Sequence, residues 1–314
     1  MIGGCREKRG ASAAASDQTM SAASPITIAS DRLTVEIAHP GTVYDRSRFD
    51  WSGLITQITL DGTHTFCVPE SRDPQRGTGG IGLCNEFNTH SPIGFDGIAP
   101  GERFPKLGIG LLTRPDEIPY RFARRYEIDP FPSTIDATAD AARYEVHPLP
   151  CRGYAARLIK TITVRGAGLT IDYALSNEGR KPLAINEYNH NFVAVDHHGP
   201  SADYRLRVGA ASLDPTAELM ALTGPGEYTW PIAPARPYFM RFGESPAEVA
   251  PRWELQHLPT GCWMAEFGDF VSPRLKLWGD PGVISPEVFI HLDIQPGETG
   301  RWQRRYAFDR KHAR

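Results

Sequence analysis

The sequence holds no apolar run close to the ~20 residues that a membrane-crossing helix requires, so no membrane partner is expected. No stretch of Lys and Arg extends beyond a few residues; the densest, Arg301 to Arg305, reads as one face of a late strand. With a formal net charge of -3 the chain also lacks the basic footprint of a nucleic-acid binder, and no nucleic-acid partner is expected. Its 5 cysteines are odd in number, widely spaced and free of any C-x-x-C, which argues against a disulfide framework and a zinc site. Reduced thiols and a cytoplasmic location are expected instead. No G-K-[ST] closes a phosphate loop, no G-x-S-x-G marks a serine hydrolase, and no window keeps a helical apolar period for several turns. The first 25 residues lack the ~7–15-residue apolar core of a secretory signal. They read as a disordered leader, 1–25, before one folded domain at 26–314.

Strand signals fill the rest. Hydrophobic residues make up 40% of the chain, enough for a sizeable core, while 30 Gly and 27 Pro favour many turns over long helices. Short alternating or β-branched runs occur at Ile26–Ile28, Leu33–Ile37, Leu54–Leu60, Leu107–Leu112, Tyr144–His147, Ala156–Val164, Leu169–Ser176, Leu183–Val195 and Tyr204–Val208. They continue at Tyr238–Phe242, Trp253–His257, Trp263–Phe267, Leu275–Trp278, Glu287–Ile294 and Trp302–Phe308. Asp61-Gly62 between two such runs predicts a hairpin into Thr63–Val68. Only Thr216–Leu222 suggests a short helix. This pattern predicts an all-β protein, a large two-sheet β-sandwich. Pro69–Pro105 and Asp196–Pro200 read as irregular loops, where binding groups tend to sit on a rigid β scaffold.

Four places could carry chemistry. In Asn186-Glu187-Tyr188-Asn189-His190-Asn191-Phe192, a strand would put Asn186, Tyr188 and His190 on one face and Glu187, Asn189 and Asn191 on the other. A strand polar on both faces needs partners for every buried group. It serves either as the floor of a groove for a polyhydroxylated ligand or as an internal network that fixes register. Glu287, in Ser285-Pro286-Glu287-Val288-Phe289, opens an apolar strand, and a carboxylate that loses water there accepts protons more readily near neutral pH. The Gly-rich loop Gly79 to Phe87, with Asn85 and Glu86, and the later Arg103 and Lys106 offer groups for sugar hydroxyls or an acidic sugar. Asp196-His197-His198 could join His190 as metal ligands, but adjacent histidines on extended backbone point apart, so no metal is expected.

Two of these segments carry a family likeness. Asn189-His190-Asn191-Phe192 is similar to the N-H-x-aromatic core of the strand that bears the catalytic His in the galactose mutarotase-like superfamily, which includes the aldose 1-epimerases. Glu287, the apolar Val288–Ile294 and the turn Gln295-Pro296-Gly297-Glu298 resemble the family's catalytic Glu, the strand after it and its L-x-P-G-E turn. In architecture the resemblance spans Ile26 to Phe308. It departs from the family after Phe192, where Val193-Ala194-Val195 stands for F-N-L. It departs again at Gly82-Leu83-Cys84-Asn85-Glu86, where Glu86 occupies the place of a sugar-gripping Arg. The family's second His has no clear counterpart, and His90 comes too early.

The resemblance implies a supersandwich that interconverts the anomers of a free sugar or sugar acid without a cofactor. Glu287 would take the proton of the anomeric hydroxyl and His190 would protonate the ring oxygen, the two facing each other across one cleft, a sugar ring apart. Asn85, Glu86, Arg103, Lys106, Tyr188 and Asn189 are the expected substrate-binding residues, and a small carbohydrate is the expected partner. Three alternatives stay open: a uronate lyase with Tyr188 or His190 as base, a non-catalytic sugar-binding protein, and a cupin-type metalloenzyme, for which the His-x-His spacing is missing.

Overall fold

The computed structural model describes residues 24–214 and 219–311. All but the last two residues of the expected leader fall outside that range. Among the described residues strand follows strand, no α-helix occurs, and the one helical element is a 3-10 turn at Val195–His197. No helix there is long and apolar enough to cross a membrane. The expected short helix at Thr216–Leu222 is described only in part, and its end belongs to a strand, Ala221–Gly224, paired with Glu227–Thr229.

Alternation builds the strands. Leu33, Val35 and Ile37 are buried while Thr34 and Glu36 between them are half-buried. The long pair Ala156–Arg165 and Gly168–Asn177 follows the same rule. Gly166, at φ 53°, supplies the left-handed residue that its tight hairpin turn needs. At the predicted Asp61-Gly62 turn both residues have positive φ, and the hairpin forms. Its second strand is only His64–Thr65; beyond it the side-chain carbonyl of Gln57 accepts from the Cys67 N–H and shares the Phe66 N–H with the Ile58 carbonyl.

Two large antiparallel sheets pack face to face, as the sequence predicts. One has nine strands, of which His64–Thr65 pairs with Ile55–Leu60 off the main path. Its path runs Ile26–Ala29, Leu33–Ile37, Ile55–Leu60, Leu83–Phe87, Leu183–Asn191, Val283–Ile294, Leu275–Asp280 and Tyr238–Phe242. The other has ten, with Cys262–Gly268, Thr299–Arg310, Gly168–Asn177 and Ala156–Arg165 adjacent at its middle. The main core lies between them and includes Val35, Ile58, Ile162, Ile171, Leu255 and Met264. Cys67, Cys84, Cys151 and Cys262 are free thiols.

Part of the expected loop Pro69–Pro105 is a central strand. All five residues of Leu83–Phe87 are buried, and the strand pairs with Leu183–Asn191. Asn85 and Glu86 interrupt its apolar pattern, which hides it from a reading based on alternation. Arg103–Lys106 is also a strand, in a separate three-stranded sheet with Gly110–Thr113 and Glu127–Pro130.

Candidate active site

Register assembles the site on the outer face of the nine-stranded sheet. Tyr188 pairs with Glu86 on one side and Phe289 on the other, so His190 lies between Cys84 and Glu287. Glu287 pairs in turn with Lys276, and Trp278 with Ser285. Cross-strand partners share a face. Four neighbouring strands thus place Glu86, Tyr188, His190, Glu287, Lys276 and Trp278 on one surface.

At its centre is a histidine held by two carboxylates. His190 Nε2 is 2.8 Å from Glu86 Oε2, and Nδ1 is 2.9 Å from Glu287 Oε1. Neutral imidazole has one N–H to donate and imidazolium has two, so this arrangement favours the cation. Burial works against the charge and so does nearby Arg48, yet the Glu287 charge and the bonds to Glu287 and Glu86 hold His190 above the usual histidine range. Phe49 meets the ring edge-on at 5.1 Å, and Phe192 stacks on it at 5.3 Å.

Arg48 completes the cluster. Its Nε donates to Glu86 Oε2 at 3.0 Å, and its Nη1 reaches Thr78 Oγ1 at 3.0 Å and Glu70 Oε1 at 3.4 Å. Tyr188 also donates to Glu86 Oε2 (2.8 Å), and the Thr89 hydroxyl donates to Tyr188 (2.9 Å). One oxygen of Glu86 therefore gathers Arg48, Tyr188 and His190. Burial favours the neutral acid, but the Arg48 charge and the His190 bond outweigh it and hold Glu86 well below the usual carboxylate range. Arg48 Nη2 comes within 3.3 Å of His190 Nε2, two cations kept together by the carboxylate they share.

Above this floor opens a cleft of about 400 Å³, lined by Arg48, Tyr188, His190, Glu287 and Lys276, with Phe122, Phe239 and Trp278 among its aromatic walls. The volume sits at the small end of the roughly 300–1,000 Å³ usual for ligand clefts. Lys276 Nζ stands 4.8 Å over the Phe289 ring, and burial lowers its pKa against the pull of Glu287. The wall at 70–80 is wound round the Glu70 carboxylate, whose Oε2 accepts from the Thr78 and Gly80 amides at 2.5 and 3.2 Å.

The other face of the same strand is sealed. Glu187, Asn189 and Asn191 point between the sheets. Arg304 donates to Glu187 at 2.7 Å, to Glu266 at 2.6 Å and to the Val288 carbonyl at 2.9 Å. Asn189 donates to the Tyr306 hydroxyl, which donates to Asn191. Asn191 and Trp253 both donate to Glu266. An open cleft on one face of the strand and an internal polar network on the other are thus both present.

The expected residues separate accordingly. His190, Glu287 and Tyr188 meet in the cleft, and Glu86 lies directly beneath them. Asn85 and Asn189 do not reach it: Asn85 bonds Glu187 on the inner face, and Asn189 bonds Tyr306 there. Lys106 is buried behind Glu86, bonding the Phe87 carbonyl at 2.5 Å, with its pKa pushed down to about 8 by burial. Arg103 is exposed on the small sheet, paired with Asp129 at 2.7 Å. Asp196 bonds His64 and the Thr65 amide, each at 2.8 Å. His190 and Glu287 are hydrogen-bonded to each other rather than a sugar ring apart.

The sequence did not point to Arg48, Glu70, Lys276 or Trp278, which also line the cleft. Lys276 and Trp278 were within reach of the alternation pattern, because Leu275 and Leu277 turn inward and put both on the outer face. Arg48 carries only a weak signal, a charged and aromatic run from Asp45 to Trp51 with no strand pattern.

No protein-family model matches the chain. No curated protein matches it either. Solved structures do. A Synechocystis protein aligns with TM-score 0.58 at 13% identity, over 94% of this chain and 99% of its own. A galactose mutarotase-like protein from Lactobacillus casei aligns with TM-score 0.55 at 13% identity, over 91% and 100%. A galactose 1-epimerase from Lactobacillus acidophilus aligns with TM-score 0.52 at 11% identity, over 90% and 92%. At such identities the likeness establishes the fold: this is a galactose mutarotase-like supersandwich, as the resemblance at His190 and Glu287 implied. A shared fold does not transfer an activity.

Proposed function

We propose that the protein interconverts the anomers of an aldose by acid–base ring opening. The observation that carries this reading is the His190–Glu287 pair on the floor of an open, aromatic-walled cleft. Glu287 takes the proton from the anomeric hydroxyl. His190, kept as imidazolium by its two carboxylates, gives a proton to the ring oxygen. The ring opens to the aldehyde, the C1–C2 bond rotates, and reclosure with the protons returned gives the other anomer.

The close contact suits this chemistry better than a wide separation would. The anomeric hydroxyl and the ring oxygen are bonded to the same carbon, so the base and acid that serve them must also be neighbours. In the free protein His190 and Glu287 satisfy each other, and the sugar takes up both groups in place of that bond. Glu86 loses little if His190 turns toward substrate, because Arg48 and Tyr188 still donate to it. The scheme involves no cofactor. A uronate lyase has less support: Arg103 and Lys106, the expected partners of a uronate carboxylate, are outside the cleft, and the Tyr188 hydroxyl is engaged with Glu86 and Thr89.

The test is the approach to anomeric equilibrium of freshly dissolved α-anomers of several aldoses, followed by polarimetry or proton NMR. Wild type is expected to accelerate at least one of them, and Glu287→Gln and His190→Asn to lower that rate by roughly 10²–10⁴-fold each. No acceleration across the panel, or full activity in both variants, refutes the reading.

A further inference from the structure

A second hollow adjoins the first. It has a volume of about 370 Å³ and is bounded by Ser71, Arg76, Arg236, Trp278 and Asp280. Trp278 and Gly77 line both hollows, so the two are neighbours that share a wall. Trp278 and Asp280 alternate with Leu277 and Gly279 on the same strand, so both face outward beside Lys276. Trp278 meets Phe192 edge-on at 5.7 Å, and Phe192 stacks on His190, which ties the indole to the acid–base pair through one ring. Gly77 marks the junction. Its φ is 74°, and a Cβ there would come 2.8 Å from the Glu70 carboxylate, so the residue between the hollows carries no side chain.

The chemistry of this second hollow is mixed. It offers an indole surface, two guanidiniums, a hydroxyl and a carboxylate that burial pushes above the usual range. Donors and acceptors around an aromatic wall match a ring that carries several hydroxyls. They suit an anion poorly. Arg76 already lies 3.5 Å from Asp73, and Asp280 would face any phosphate or carboxylate placed there.

We infer that the substrate is a reducing saccharide of at least two residues, the anomeric ring lying over His190 and Glu287 and the next residue seated against Trp278, Arg236 and Asp280. This rests on the mutarotase reading for which end of the saccharide enters the first hollow. With the anomeric carbon over His190 and Glu287, the next residue extends along the sheet surface past Phe192 to Trp278.

Calorimetric titration of the full chain with glucose, galactose, maltose, cellobiose, lactose and the methyl glycosides of these sugars tests the inference. At least one disaccharide is expected to bind about tenfold more tightly than its reducing-end monosaccharide, the gain of one or two added hydrogen bonds. Arg236→Ala and Asp280→Asn should each bring that ratio toward one. Arg236 is exposed, so its variant keeps the test valid if Asp280→Asn folds poorly. Equal or weaker binding of every disaccharide, an unchanged ratio in Arg236→Ala, or tighter binding of glucose 6-phosphate than of any disaccharide overturns the inference. Anomer exchange measured on the same samples separates it from the reading beneath it. Disaccharide binding without exchange removes the mutarotase and keeps the subsite. Monosaccharide exchange without a disaccharide advantage removes the subsite alone, and no saccharide binding removes both.

Discussion

The two faces of the Leu183–Asn191 strand carry similar residues put to different use. Inward, Glu187, Asn189 and Asn191 meet Arg304, Glu266 and Tyr306 in a closed network away from solvent. Outward, Tyr188 and His190 meet Glu86, Arg48 and Glu287 beneath a cleft. Each network sets a buried arginine between two glutamates: Arg304 between Glu187 and Glu266, Arg48 between Glu86 and Glu70. They differ in what else the carboxylates hold. The inner pair bonds amides and an indole, which do not titrate near neutral pH. The outer cluster holds an imidazole, which does. Burying charge fixes structure in one case and favours a protonated imidazole beside a cleft in the other.

The comparison can be broken most severely from inside. Arg304→Met leaves Glu187 and Glu266 buried without their cation and should cost about 3–5 kcal/mol in urea unfolding, because removing one partner of a buried pair strands the other. A stability within error of wild type would show that the inner network is not what holds the two sheets in register. Glu86→Gln probes the outer face. It weakens charge-assisted bonds to Arg48, Tyr188 and His190, with an expected loss of about 1.5–3 kcal/mol.

The same substitution sharpens the titration argument. His190 has a folded pKa above its unfolded value, so its ionisation stabilises the fold fully below pH about 6.5, and that contribution is lost as pH rises through the higher folded value. Glu86 is the reverse case: its folded pKa is depressed, so its contribution is present above about pH 4.3 and lost as pH falls through the folded value. On the proposed mechanism, loss of the His190 proton is expected to set the alkaline limb of the pH profile of anomer exchange. Glu86→Gln should move that limb to lower pH, and an unmoved limb would mean that Glu86 does not support the imidazolium. Gly77→Ala should lower stability by about 1 kcal/mol through its positive φ, and by more if Glu70 cannot give way. The smallest effect belongs to Arg103→Ala, expected within about 0.5 kcal/mol of wild type with unchanged exchange rate. A large loss of activity there would return Arg103 to the substrate.

Much of the fold was legible because period-two alternation survives wherever one face of a strand is buried in hydrocarbon. Leu33–Ile37, Tyr204–Val208, Tyr238–Phe242 and Trp253–His257 have the bounds that their patterns predict. The strand Leu83–Phe87 was not legible, because its buried polar residues are satisfied by partners about a hundred positions away. The catalytic candidates were legible for a related reason. A His in a polar strand and a Glu within an apolar one, Val283–Ile294, are local anomalies, and each resembles a short motif.

The sequence by itself determined the all-β sandwich, the strand around His190 and the candidacy of His190 and Glu287. Alternation, turn residues and unusual polarity are properties of neighbouring positions. Only the tertiary structure decided that Asn85 and Asn189 face inward, that Arg103 lies elsewhere, that Arg48 enters the cluster and that Trp278 opens a second hollow. Strand register and sheet order set those distances, and both depend on pairings between segments that no local pattern specifies.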